Sequence, residues 1–430
     1  MNFIEITSPD LVDKLLGLSI TDKVCILDSC DVGHQGSHLL IAGIDPVETI
    51  EISGRSVDES FEIFDETLSR TNLAAVFSLA YDFGLKIENI ARRSKEYRVT
   101  EPDIFISLFD CLIIHDYQTG KTRIGGDPKR SSVIAELLRS AESIQSDPGF
   151  GYSDLRSNFT EREYLDRVNS VLEYIRNGDT YQTNITQQFR AQLYPDLSPQ
   201  HIFKRLRKRH PAPFSAFLSR KNDHVISISP ERFISAKNGV ISAAPIKGTR
   251  KRGSTKIDDA NLRIELSGSE KDRAENTMIV DLLRNDLGRI CEFGSVKVNE
   301  LCAIEEHPTI FHLVSNISGV MRKHLSWSDV VRATFPCGSI TGCPKIRTME
   351  IIDKLETADR GLSMGAIGYR GFDQTIDLSV AIRTMVIRED QAIFNVGGGI
   401  VIDSDPLSEY RESNLKAKAL IEALSSRPSK

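Results

Sequence analysis

The seven cysteines include no CxxC pair, so neither a disulfide framework nor a zinc site of that kind is indicated. No apolar run approaches the ~18 residues of a membrane helix. The N-terminal stretch MNFIEITSPDLVDKLLGLSI mixes acids among its apolar residues and lacks a basic leading segment, which argues against a signal peptide. No repeat of ~20–50 residues is visible, which speaks against solenoids and propellers. Positive charge is not in excess either: 54 Lys and Arg stand against 60 Asp and Glu, a net charge of −6. A protein whose business is gripping phosphate backbones has the opposite balance. The expectation is a cytoplasmic protein with reduced thiols and no nucleic-acid or membrane partner.

What is present is ordinary for a globular enzyme: 430 residues, 40% hydrophobic and 27% charged. The segment Ser146–Ser157, SDPGFGYSDLRS, reads as a linker between residues 1–150 and 151–430. Before it, Val24–Leu27, Leu39–Ile41, Val76–Ala80 and Cys111–His115 read as strands. After it, Thr160 and Glu163 form a capping box, with Tyr164, Val168, Val171, Leu172 and Ile175 as the apolar stripe of a helix that ends at Asn177-Gly178. An alternating segment follows, with Gln182, Asn184, Thr186 and Gln188 on one face. That face is either solvated or lines a polar cavity. The basic run Lys204–His210 reads as a solvated helix face. Hairpin strands at Val225–Ser229, Phe233–Ala236 and Val240–Ala244, the last pair joined by Asn238-Gly239, precede helices at Ser269–Leu287, Pro344–Leu355 and Pro406–Leu424 and strands at Met364–Arg370, Ile376–Ile387 and Ala392–Val396. Without a regular βαβ rhythm, the class is α+β, as one large composite fold or a split core.

Five groups of residues can carry chemistry. Asp272 and Glu275, and Glu409 and Glu412, each stand three apart on a helix face. They are either salt-bridge decoration or, if the helices face each other, an oxygen-rich magnesium site. The loop Pro336–Lys345, PCGSITGCPK, is a turn with a helix cap or an anion site, and does not match a P-loop. Gly397, Gly398 and Gly399 permit close backbone approach to a ligand, or mark a β-bulge. Lys247, in Pro245–Thr249 (PIKGT) with Arg250, Lys251 and Arg252 nearby, is either part of an anion-steering loop or an amine whose charge its basic neighbours disfavour, hence a nucleophile. Glu231, in SPERF, is a general acid if its site is dry, or the ion-pair partner of Arg232; His312 is a core histidine or a catalytic one.

SPERF, PIKGT, KDRAENTMIVDLLRNDLGRI, FHLVSNISG, PCGSITGCPKIRTMEIID, IRT, GGGIV and EYRES occur in this order between Phe159 and Leu424. Together they resemble the chorismate-utilising enzymes, and PIKGT is most similar to their aminodeoxychorismate synthase component I branch. Residues 1–150 resemble the family more loosely, chiefly through Ile26–Ser29. Anthranilate synthases usually carry alanine at Lys247 and tyrosine at Ser363, and the isochorismate branch carries a water-activating lysine at Gln182. Cys337 and Cys343 replace glycine or alanine, small changes that leave the loop open. Asp28 replaces a glutamate of the tryptophan site of anthranilate synthases.

The resemblance implies a fold of two subdomains with packed, mainly antiparallel sheets and outer helices, and a site in the cleft between them. It implies Mg2+ held by Glu275 and Glu412 with Asp272 and Glu409 in support, and carboxylate contacts from Arg383, Gly397–Gly399 and Lys416. Lys247 would be the nucleophile and Glu231 the acid, with His312, Gly248 and Thr249 near the substrate. The implied reaction turns chorismate and ammonia into 4-amino-4-deoxychorismate for para-aminobenzoate and folate synthesis. No glutaminase cysteine pattern is present, so ammonia would come from solution or from a separate glutamine amidotransferase subunit. Anthranilate synthase component I and a non-catalytic ligand-binding relative are the alternatives.

Overall fold

The computed structural model describes residues 3–8, 10–144, 147, 149, 151–307 and 310–425. Many of the central strands are apolar on both faces, so they need cover on both. In Val24–Asp28, Val24 and Ile26 join one core while Cys25 joins another. Phe217, Ile226 and Ile228 face the first core, and Ala216, Leu218 and Val225 the second. The period of two along each strand thus places a sheet on one side and helices on the other.

The outcome is a twelve-stranded and a ten-stranded sheet, stacked, with antiparallel ladders. Cys25, Ile41, Ala74, Val76, Phe105 and Ile367 fill the space between them. Helices Leu11–Leu18, Pro128–Ser140, Pro199–Arg209 and Pro406–Ala423 cover the outside of the larger sheet; Val57–Leu68, Glu270–Gly288 and Trp327–Thr334 cover the smaller. The α+β expectation of packed antiparallel sheets with outer helices holds.

Residues on either side of position 150 share both sheets. Val24–Asp28 pairs with Phe214–Ser219, and Ala74–Leu79 with Ala366–Arg370. Of the expected linker Ser146–Ser157, residues 146, 148 and 150 lie outside the described residues, and Tyr152–Ser157 is a strand on Gln182–Leu193. The basic run is not simply solvated: Arg205 is buried against Asp147 and the Ala423 carbonyl, and Arg207 pairs with Asp28 at 2.6 Å. Helices Leu11–Leu18, Val57–Leu68, Pro128–Ser140, Lys256–Gly268 and Trp327–Thr334 were not among those expected from the sequence. Among the described residues no helix is long and apolar enough to cross a membrane.

Two crossovers between the sheets position the site. The chain leaves the larger sheet after His224–Ser229 and enters the smaller at Arg232–Lys237, passing Glu231. It returns from Ile376–Val380 to Thr384–Arg388, passing Arg383, whose φ of 49° breaks what the sequence pattern suggests is one strand. The crossovers are tied together: the Val380 amide donates to the Glu231 carbonyl at 3.0 Å, and the Ile228 amide to the Arg383 carbonyl at 3.1 Å.

Candidate active site

Lys247 lies on the strand Ile246–Lys251, where the pairing with Ile310–Val320 is irregular between Ile246 and Thr249. The irregularity rests on Gly248, at φ +78°, where a Cβ would come within 2.9 Å of the Asp272 side chain. The half-buried Lys247 ammonium donates to the Ser339 carbonyl at 3.4 Å. Ser339 belongs to the one-turn helix Gly338–Ile340 inside the PCGSITGCPK loop. The loop therefore presents a carbonyl to the amine, a role different from the anion site its glycines suggest.

Glu231 is buried, and among the described residues its Oε1 has no hydrogen-bond partner. Burial raises its pKa, with Lys247, the Ser339 side chain and His34 pulling less strongly the other way. A carboxyl that holds its proton to higher pH than usual, beside an amine, is suited to donate it. Arg232 does not neutralise it: that guanidinium grips Asp377 through two bonds of 2.8 and 3.0 Å. Behind these, His312 Nδ1 lies 2.9 Å from the Thr249 hydroxyl. Burial, reinforced by His34 and His307, pushes His312 down to about 3, so it offers a neutral imidazole for hydrogen bonding rather than a proton carrier.

The opposite wall is the strand Gln391–Ile400, which runs through the three glycines without a bulge: Gly397, Gly398 and Gly399 face Thr186, Ile185 and Asn184. The amide face of Gln182–Leu193 is buried, which settles its nature as an interior polar surface. Gln188 bonds the Asp359 carbonyl and Asn395, whereas Gln182 is fully buried with neither amide atom partnered. A Cβ on Gly399 would fall 2.4 Å from Gln182 Nε2, so this bare amide abuts the glycine strand. Lys416 donates to the Gly397 carbonyl at 3.0 Å and pairs with Glu412 at 2.7 Å. Arg383 is solvent-open, and no carboxylate among the described residues pairs with it. A bare arginine, glycine amides and a lysine make a receptor for carboxylates.

The acids of the two helices converge. Burial and then like charge from Asp272 and Glu409 raise Glu275, outweighing Lys247 and Lys271. Burial also raises Glu409, which accepts from Ser404 at 2.7 Å. Burial acts in the same sense on Glu412, but Lys416, Lys271 and Lys247 outweigh it and hold it low. Asp272 is turned to Arg250 at 3.3 Å. No three of these carboxylates form a compact ligand cluster. The donor set is hard oxygen whose mutual repulsion lysines and Arg250 relieve only in part, since Glu275 and Glu409 stay raised, which fits Mg2+ held through one or two carboxylates and water.

The family model for chorismate binding enzymes matches residues 22–422. This chain belongs to that family. It is 35% identical over 423 residues to aminodeoxychorismate synthase component 1 of Escherichia coli K12, covering 93% of this chain and 92% of that one. It is 36% identical over 418 residues to an anthranilate synthase component 1 of Haloarcula marismortui, covering 89% and 82%. The crystal structure of anthranilate synthase component I from Streptococcus pneumoniae TIGR4 superposes with a TM-score of 0.78 at 28% identity, covering 89% and 92%.

Two features of this chorismate binding enzyme escaped the sequence. The basic neighbours of Lys247 do not crowd its amine, because Arg250 pairs with Glu265 and Asp272, and Arg252 with Asp259. The charges facing the amine are instead Glu231, Glu275 and Glu412. The second is Arg360, fully buried, which bonds Glu356 twice and the Ile340 and Asn184 carbonyls, bracing both the loop and the glycine wall. Asp28, in the stretch likened to a tryptophan site, lines a separate cavity of about 90 Å³. Its carboxylate is already held by Arg207, Tyr117 and the Cys30 amide.

Proposed function

We propose that the protein is the chorismate-aminating component of an aminodeoxychorismate synthase, adding ammonia at carbon 4 of the ring. The observation that carries this is the Lys247 amine set between the Ser339 carbonyl and the raised carboxyl of Glu231. Overall identity does not separate the amination branches, since relatives of both names match about equally. Lys247 does.

Arg383, the Gly399 amide and Lys416 would orient chorismate by a carboxylate, with the Thr249–His312 pair against the ring. Lys247, once its ammonium has passed a proton to solvent, forms a bond through the free amine to ring carbon 2 as the carbon 4–oxygen bond breaks, and Glu231 supplies the proton with which the hydroxyl leaves as water. Ammonia then bonds to carbon 4 while the carbon 2–nitrogen bond breaks, releasing Lys247 as the free amine. The new ammonium group and the Glu231 carboxylate exchange a proton with solvent to reset the site. The detour divides the loss of a poor leaving group into two allylic displacements. Glu275 and Glu412, backed by Asp272 and Glu409, would hold Mg2+, which when bound neutralises the ring carboxylate and takes up the charge of its ligands.

Incubation with chorismate, ammonium and Mg2+, followed by mass spectrometry, tests the assignment. A product retaining the enolpyruvyl group supports it; pyruvate release with a fluorescent aromatic product means anthranilate and overturns it. We further propose a separate glutamine amidotransferase as the ammonia source. Turnover with glutamine alone would refute that.

A further inference from the structure

We propose that His34, Glu305 and His307 form a site for one divalent cation of the zinc type, apart from the magnesium carboxylates. The three come from two places in the chain. His34 opens a one-turn helix, His34–Gly36, after the strand Val24–Asp28. Glu305 is the next-to-last residue of the strand Lys297–Glu306, and His307 follows two residues on, so extended backbone turns both side chains the same way. His34 Nδ1 lies 2.8 Å from one Glu305 oxygen and His307 Nε2 lies 3.7 Å from the other. One ligand atom from each residue falls within 4.8 Å of the others.

A second observation points at a ligand. His34 is 1% exposed and His307 6%, yet among the described residues Nε2 of each has no hydrogen-bond partner. Buried polar nitrogens are rarely left so. Two imidazoles and one carboxylate suit zinc or cobalt, whereas magnesium prefers an all-oxygen shell. Closing the set to metal–ligand lengths of ~2.0–2.2 Å asks for side-chain shifts of about an ångström. Glu305 is 27% exposed and gives the entry path.

The cation would staple the loop of residues 29–38 to the hairpin that carries His312. The His312 ring centre lies 5.4 Å from that of His307 and 6.0 Å from that of His34. Zinc would therefore fix the wall behind a substrate-facing imidazole and leave a fourth coordination position for water.

The test uses the whole protein, stripped with chelator and kept in millimolar Mg2+ so that the carboxylate site is filled. Titration with Co2+ should give one equivalent with an intense visible band of low coordination number, displaced by Zn2+. Affinity should fall at least tenfold in His34→Gln and in His307→Gln, and persist in Glu275→Gln. Zn2+ should raise the unfolding midpoint of the wild type and not of the histidine variants. Should a variant fail to fold, X-ray absorption of the zinc-loaded wild type decides, with imidazole scatterers expected. No stoichiometric binding, no imidazole in the shell, or a loss confined to Glu275→Gln would overturn the proposal.

Discussion

Two regions bury charge side by side and treat it in opposite ways. In the brace, Glu356 receives the Thr186 amide and hydroxyl at 2.7 and 2.9 Å and two bonds from Arg360, which lies 4.4 Å over the Tyr81 ring. Each guanidinium nitrogen of Arg360 and each carboxylate oxygen of Glu356 is bonded. In the cleft, Glu231 Oε1 and both amide atoms of Gln182 have no hydrogen-bond partner among the described residues. A buried ion pair that is fully hydrogen-bonded holds geometry, whereas buried polar atoms left bare hold places for substrate atoms. The contrast assigns stability to one set of residues and turnover to the other, and substitutions can break it.

The largest effect is expected at Lys247. Lys247→Ala should lower carbon 4 amination by roughly 10³-fold or more, as loss of a covalent nucleophile does, while chorismate binding and the unfolding midpoint persist. Retained formation of 4-amino-4-deoxychorismate would end the covalent route. Next comes Glu231→Gln, which should cost about 10²–10⁴-fold in kcat. Its sign in stability is the opposite of the usual one. The folded pKa lies above the ordinary value of ~4.3, so the wild type is destabilised as pH rises from that value through the raised one. Near pH 8 the glutamine variant should therefore melt no lower than wild type. Wild-type kcat should decline on the alkaline side as Glu231 gives up its proton, and the glutamine variant should lack that decline; a pH–rate profile of both proteins checks it.

The brace should respond the other way. Arg360→Met leaves Glu356 buried with only Thr186 as donor, a loss of about 3–5 kcal/mol, read as a lowered denaturant midpoint. If instead stability held and only kcat fell, Arg360 would belong to the cleft and the division of roles would fail.

How much of this was legible depends on the range of the interaction. The helix Glu161–Arg176 was, because its capping box and apolar stripe are local: both Thr160–Glu163 bonds form, and Tyr164, Val168, Val171 and Leu172 are buried. The Asn238-Gly239 turn was, since both residues adopt positive φ. The motif residues were recognisable as chemistry. Their setting was not, because sequence spacing cannot show a chain changing sheets. The crossovers that carry Glu231 and Arg383 are tied by bonds between segments about 150 residues apart. The same limit explains Lys247: adjacent Arg250 and Arg252 dominate the sequence, while the groups that face the amine come from distant helices. Tertiary pairing also turned Arg205 and Arg207 from an apparent solvent face into interior ties.

The smallest effect makes the finest cut between the regions, because it compares two glycines on one strand. At Gly397 a Cβ would lie 1.9 Å from the Ile185 carbonyl, within the ladder that pairs Gly397 with Thr186. Backbone cannot yield without breaking that pairing, so Gly397→Ala should lower stability outright. At Gly399 the obstacle is the end of the Gln182 side chain, 2.4 Å away, which has no hydrogen bond to lose on moving. Gly399→Ala should thus alter stability by no more than about 1 kcal/mol, since alanine also restricts the unfolded chain. The displaced amide must go toward the substrate, so KM for chorismate should rise severalfold with a smaller change in kcat. If the two alanines destabilised the protein equally, Gln182 would be locked in place by packing, and its bare amide would be a feature of the fold rather than of the reaction.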